Sequence, residues 1–282
     1  MGCSVDHLRE AFQEQGFIRL DGFFSKEDVE CVRVDTKWVF LNQMVIRGFV
    51  AHPDVNDLEF ERGMARYFSE DPEGFINCGK TSQHLISLHR LSLREEIVSQ
   101  LIGLGLQRPC ICTRPVLYFN SRHLAKSEVY YKSPPHQDWR SMQGSLNAMV
   151  VWVPLADVPS ELGALEIIPG SHMWGLQDSQ EDEWYRRIEG ISDEQYQSVV
   201  VSAGDVLFFS AFLVHRSGNN VTDSIRWSCH FRYNDLEEST FVSRKYPNPY
   251  IYKPQQELVT QDFPSTEQLQ KVFPGRSRTT SG

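Results

Sequence analysis

Residues 133–139 read Ser133-Pro134-Pro135-His136-Gln137-Asp138-Trp139, and one residue separates the histidine from the aspartate. On a strand, alternate side chains point to the same face, so His136 and Asp138 can reach one metal ion. A neutral imidazole and a carboxylate form a mixed nitrogen and oxygen pair. Two histidines plus one carboxylate, with open positions opposite, is the arrangement that suits an iron(II) oxygenase. Taken alone, a His-x-Asp pair is a weak signal, because many such pairs are surface accidents or ordinary hydrogen-bonded neighbours.

The partners this pair needs lie downstream. Gly204-Asp205-Val206-Leu207-Phe208-Phe209 reads as a turn and a buried strand, and His215 follows shortly after it. Eleven residues further on comes Arg226, near the start of the alternating strand Ile225–Tyr233. Arg226 and Ser228 share one face of that strand, with Trp227 and Cys229 on the other. An arginine fork beside a hydroxyl is suited to grip a carboxylate with two parallel bonds. The joint pattern, and not any single residue, carries the argument.

Around these residues the chain changes character near Arg108. Ahead of it the periodicity is mostly helical: Val5–Gln15, a helix opened by Ser25 and Asp28 that runs past Trp38, Leu58–Phe68 and Arg94–Leu104. Phe17–Leu20 alternates like a short strand. Beyond Arg108, short segments rich in β-branched and aromatic residues predict strands at Val116–Asn120, Val129–Lys132, Leu146–Val153, Ala164–Ile168, Val199–Val201, Val206–Phe209 and Ile225–Tyr233. Such strands with turn-like connections predict a mainly β fold with flanking helices, two antiparallel sheets facing each other as a jelly roll. Gln177–Asp193 interrupts the pattern with acidic, helix-prone residues, an excursion placed near the barrel mouth. The expected organisation is one domain over 1–282, with a helix-rich part to about residue 107, a jelly-roll core over about 108–235 and a proline-punctuated tail over about 236–282, its last residues frayed.

Composition narrows the class. The chain has 282 residues, 40% of them hydrophobic, enough for a sizeable core. A net charge of −9 argues against nucleic acid as a partner, since phosphate binding needs a basic face. The six cysteines are scattered, and nothing looks like a secretion signal, so they read as reduced thiols. No apolar run approaches the ~18 residues that cross a bilayer. Met1-Gly2-Cys3 lacks the Ser or Thr at position six that myristoylation wants. A cytoplasmic protein acting on a small molecule, with no membrane partner, is expected; oligomeric state is left open.

Several further motifs stand in one order: Gly16-Phe17-Ile18 with Asp21-Gly22-Phe23-Phe24, Pro135 to Trp139, Trp152-Val153-Pro154-Leu155-Ala156-Asp157, Gly163-Ala164-Leu165 with Ile168-Pro169-Gly170-Ser171-His172, Gly204-Asp205-Val206, and His215-Arg216-Ser217. Through these, from about Phe12 to Asn234, the sequence resembles the phytanoyl-CoA dioxygenase family of iron(II)/2-oxoglutarate oxygenases. The resemblance implies a double-stranded β-helix, cupin-like, with iron at one open end. It implies iron(II) on His136, Asp138 and His215, and Arg226 on the distal carboxylate of 2-oxoglutarate. Ser228 and Ser217 fall where relatives place supporting hydroxyls, and Tyr118 and Asn120 match co-substrate contacts.

The reaction implied uses dioxygen, releases succinate and carbon dioxide, and hydroxylates the substrate; relatives that halogenate lack the carboxylate that Asp138 supplies. Arg140, Gln143 and Lys132 are candidate contacts to a small polar substrate, with a rim salt bridge as the alternative role for Arg140. His172 reads as a turn residue and not a ligand, and His230 as a possible support behind the site. Trp139, Trp152 and Trp174 are expected in the core. A jelly-roll binding module that keeps a structural metal, or a cupin-like isomerase, is the competing reading; neither needs Arg226 and Ser228 after His215.

Overall fold

The computed structural model describes residues 5–124, 132–181, 186–249, 257, 258 and 260–274. The first part is helical: α1 (Val5–Gln15), α2 (Lys26–Ile46), α3 (Asp57–Glu70), α4 (Pro72–Ser82), α5 (Ile86–Ser92) and α6 (Glu95–Leu104), with strand β1 (Phe17–Leu20) between the first two. Ser25 caps α2 by accepting from the Asp28 amide, the start expected for it. Asn56 and Glu59 close a capping box on α3. Helices α4 and α5 were not expected. Pro72, Gly74 and Gly79 dilute their periodicity, but Phe75, Cys78, Leu88 and Leu91 still bury one face.

The remainder is a jelly roll. Its larger sheet runs β1, β9 (Val206–Ser210), β4 (Met149–Pro154), β11 (Arg226–Asp235), β2 (Pro109–Ile111), and β3 (Val116–Asn120) also pairs with β11. The smaller sheet runs β10 (His215–Ser217), β5 (Leu165–Ile167), β8 (Gln197–Val199). All pairings are antiparallel. Alternation splits the core in two. Met149, Val151, Val153, Phe208, Cys229 and Phe231 pack outward onto the helices. Val150, Trp152, Leu207 and Phe209 pack inward against Leu165 and Ile167 of the smaller sheet. The helices therefore brace the back of the larger sheet and leave its other face to the site.

Three expectations are corrected. The ladder expected at Leu146–Val153 begins at Met149, because side chains take the earlier backbone donors: Asn234 Oδ1 accepts from Ser145 N and Glu238 Oε2 from Leu146 N. The third strand ends at Val199, and Val201 instead bridges Val158. The excursion forms a small hairpin, β6 (Gln180–Glu181) with β7 (Arg186–Arg187), despite its helix-prone composition. Ile188 N donates to Pro135 O at 2.8 Å, so tertiary pairing overrides local propensity there. The strand expected at Val129–Lys132 lies outside the described residues except for Lys132. A helical turn, α7 (Trp139–Met142), follows Asp138 between β3 and β4, and after the barrel come α8 (Ser239–Ser243) and α9 (Thr266–Val272).

Candidate metal centre

His136 and His215 are joined through their backbones. His136 N donates to His215 O at 3.0 Å and His215 N to His136 O at 3.2 Å, one pair of antiparallel ladder bonds. Asp138 does not continue that strand. Its φ of −65° and ψ of −28° are helical, and it starts the turn α7. The same-face argument from strand alternation therefore holds for His136 alone. The turn swings the carboxylate back, and His136, Asp138 and His215 each offer a ligand atom within 4.8 Å of the others.

The two imidazoles are oriented alike. Nδ1 of His136 lies 2.7 Å from Pro134 O, and Nδ1 of His215 lies 2.9 Å from Leu213 O. A backbone carbonyl can only accept, so each ring carries its proton on Nδ1 and turns a bare Nε2 to the shared point. Burial holds both rings neutral: it pushes His136 down to about 3 and lowers His215 as well. Asp138 is held below the usual carboxylate range although its burial opposes this. The Arg232 guanidinium beside it outweighs that burial. Arg232 Nη2 donates to Asp138 Oδ1 at 2.9 Å. Two neutral imidazoles and one ionised carboxylate are the donor set that iron(II) takes.

Arg226 lies on the same row of β11 and is almost wholly buried. It bonds the Gly163 carbonyl and reaches Ser217 Oγ at 3.3 Å, and Ser217 Oγ in turn meets Ser133 Oγ at 2.9 Å. Across the ladder, Asn120 stands opposite Arg226 and Tyr118 opposite Ser228. The Arg226 guanidinium also lies 5.6 Å from the Tyr118 ring and 6.0 Å from the Trp152 ring. Among the described residues, the Asn120 amide, the Trp152 Nε1–H, the Ser228 hydroxyl and His230 Nε2 are buried with no hydrogen-bond partner. Buried polar groups are rarely left so. Beside a guanidinium, this surplus of donors fits an anion with several acceptor oxygens, as a dicarboxylate has.

The other candidates sit elsewhere. Arg140 donates to the Gln177 carbonyl, and the buried Gln143 donates to the carbonyls of Arg140 and Glu257. Both brace the segment leaving the metal group. Lys132 is half-buried in a bend beside Ser133. His172 Nε2 bonds the Gln13 carbonyl and joins no metal group. Sequence reasoning placed Trp152 in the core and passed over Arg232. The signal for Arg232 was available, since it continues the even-numbered row of Arg226, Ser228 and His230.

The phytanoyl-CoA dioxygenase family model matches residues 12–228. The chain belongs to that family of iron(II)/2-oxoglutarate-dependent oxygenases, so its cofactors are iron(II) and 2-oxoglutarate. The peroxisomal phytanoyl-CoA dioxygenase of Mus musculus is 24% identical over 248 residues, which cover 81% of this chain and 68% of that protein. The methylphosphonate hydroxylase of Gimesia maris is 23% identical over 251 residues, covering 86% and 85%. Among solved structures, the epimerase SnoN in complex with Fe3+, α-ketoglutarate and nogalamycin RO has a TM-score of 0.57 at 17% identity, covering 92% of this chain and 96% of that one. The non-heme monooxygenase ThoJ reaches 0.56 at 19% identity, covering 82% and 78%. At these identities the structures speak for the fold, and the jelly roll is theirs too.

Proposed function

We propose that the protein hydroxylates a small polar metabolite, consuming dioxygen and 2-oxoglutarate and releasing succinate and carbon dioxide. The observation that carries the reading is the placement, inside one barrel, of the His136, Asp138 and His215 group and the buried donor cluster around Arg226. His136, Asp138 and His215 would hold iron(II), and Arg226, with Ser217, Ser228, Asn120, Tyr118 and Trp152, would hold 2-oxoglutarate. Bound iron supplies the centre at which dioxygen is reduced at the expense of the keto acid, and so the oxidising power for a C–H bond.

The residues of this chain supply orientation. The Nδ1 bonds to Pro134 and Leu213 fix both imidazoles before any ligand arrives, so little ordering remains on binding. Arg226, sealed from water, meets a carboxylate without competition from solvent. The carboxylate of Asp138 favours hydroxylation over halogenation. A polar substrate is supported by His230, whose buried Nε2 has no hydrogen-bond partner among the described residues and would meet a lipid chain unfavourably. Arg140 and Gln143 would act on a substrate through the segment after Asp138 that they brace, and Lys132 through its half-buried side chain. No helix among the described residues is long and apolar enough to cross a membrane.

The test is a succinate-release screen over small metabolites with iron(II) and 2-oxoglutarate, followed by turnover of the best substrate under 18O2. One labelled oxygen in succinate and one in the product is expected. A product that is epimerised, cyclised or desaturated, with no label, would replace hydroxylation by a related oxidation.

A further inference from the structure

We propose that Arg232 is a positioning residue that restricts Asp138 to one metal-binding oxygen. This rests on the iron(II)/2-oxoglutarate reading above and concerns a residue outside the ligand set.

The two oxygens of Asp138 are unlike. Both face the metal group, Oδ1 at 4.0 Å from His136 Nε2 and Oδ2 at 3.9 Å from His215 Nε2, but Oδ1 accepts from Arg232 Nη2 at 2.9 Å whereas Oδ2 is buried with no hydrogen-bond partner among the described residues. The pair is sheltered, with side-chain exposures of 15% for Arg232 and 4% for Asp138. Charge-assisted bonds of this kind are the strong ones. Arg232 and Arg226 are six positions apart on β11, about 20 Å at ~3.3 Å per residue, with His230 of the donor cluster between them. One arginine therefore serves each end of the row.

Coordination arithmetic gives the pairing a purpose. A carboxylate can bind a metal through one oxygen or through both. With one oxygen, the two imidazoles and Asp138 take three of the six positions of an octahedral ion. A keto acid held through two oxygens would then leave room for one further ligand. With both oxygens bound, nothing would remain. The guanidinium bonded to Oδ1 competes for one of that oxygen's lone pairs and lowers its basicity, which favours Oδ2 as the donor.

The test reads binding and not turnover. Iron(II) affinity, the visible band of the iron and 2-oxoglutarate chelate, and the affinity of that complex for nitric oxide (a stand-in for dioxygen, followed by EPR) are measured anaerobically in wild type, R232M and R232K. Methionine keeps much of the stem volume without charge, and lysine restores the charge. In R232M, iron binding and the chelate band should persist while nitric oxide affinity falls at least tenfold, and R232K should recover most of it. A merely structural role would weaken iron and 2-oxoglutarate binding in parallel and leave nitric oxide affinity of the surviving complex unchanged. That outcome, or an R232M complex that binds nitric oxide as wild type does, overturns the proposal. A wild type with no chelate band would remove the parent reading, and this one with it.

Discussion

Arg226 and Asn120 are cross-strand partners on the β3–β11 ladder, and both are sealed from solvent. The guanidinium and the amide are thus neighbours in the barrel floor, placed by register and not by sequence proximity. Arg226→Ala should raise the 2-oxoglutarate requirement by roughly 30- to 150-fold, the equivalent of about 2–3 kcal/mol for a charge-assisted contact. Asn120→Ala removes a neutral donor and should cost roughly fivefold, about 1 kcal/mol. Titration of the chelate band in each variant measures both, and an Asn120→Ala effect as large as that of Arg226→Ala would reverse their assigned weights.

Metal binding should show as stability. An ion that binds the folded chain and not the unfolded one stabilises it by about 2.7 kcal/mol at a hundredfold excess over its Kd. Iron(II), or cobalt(II) as an air-stable substitute, should raise the melting temperature of the wild type and leave that of His215→Ala unmoved. An equal rise in both proteins would place the ion elsewhere.

His172 carries a pH dependence of its own. It is buried beneath Gly16, and burial pushes its pKa down to about 4. The unfolded chain, with an ordinary value near 6.5, binds the proton first. Stability from the neutral ring is therefore complete above about pH 6.5 and is lost as pH falls toward 4, at up to roughly 1.4 kcal/mol per unit. Burial lowers the pKa of His136, His215 and His230 as well, so the comparison with His172→Leu isolates this one. Between pH 7.5 and pH 5 the variant should gain about 2 kcal/mol relative to wild type in urea unfolding. Parallel losses would show that His172 takes its proton without cost.

Gly204 tests the turn that precedes β9. Its φ is +95°, and a Cβ there would sit 2.5 Å from the Phe24 carbonyl, whose own amide bonds Gly204 O. Gly204→Ala should destabilise by more than about 1 kcal/mol, read from the denaturant midpoint, while metal affinity of the folded protein is unchanged. A neutral substitution would mean that the turn relaxes freely.

Much of this was legible because the relevant signals are local. Val5–Gln15, Phe17–Leu20 and Val116–Asn120 keep the boundaries their periodicity announces. His136, Asp138, His215 and Arg226 were singled out by residue type and order along the chain, and the first three come together although strand alternation does not reach Asp138. What escaped depends on contacts between distant residues. Asp138 leaves the strand because Trp139 N bonds Ala211 O and the chain turns there. Arg232 matters only through a carboxylate 94 positions earlier. Trp152 looked like core because it is core, and only the unmet Nε1–H distinguishes it.

The paired amides of His136 and His215 have a last consequence. These two hydrogen bonds are a short seam between the strand edge at residue 136 and the smaller sheet. An ion gripped by both imidazoles is a rivet through that seam: the edge cannot peel away while the rivet is in place, and the rivet cannot drop out until the edge has parted. The rate at which one metal replaces another is then a clock for the breathing of this edge of the barrel, running at the same pace as deuterium uptake at the amides of His136 and His215.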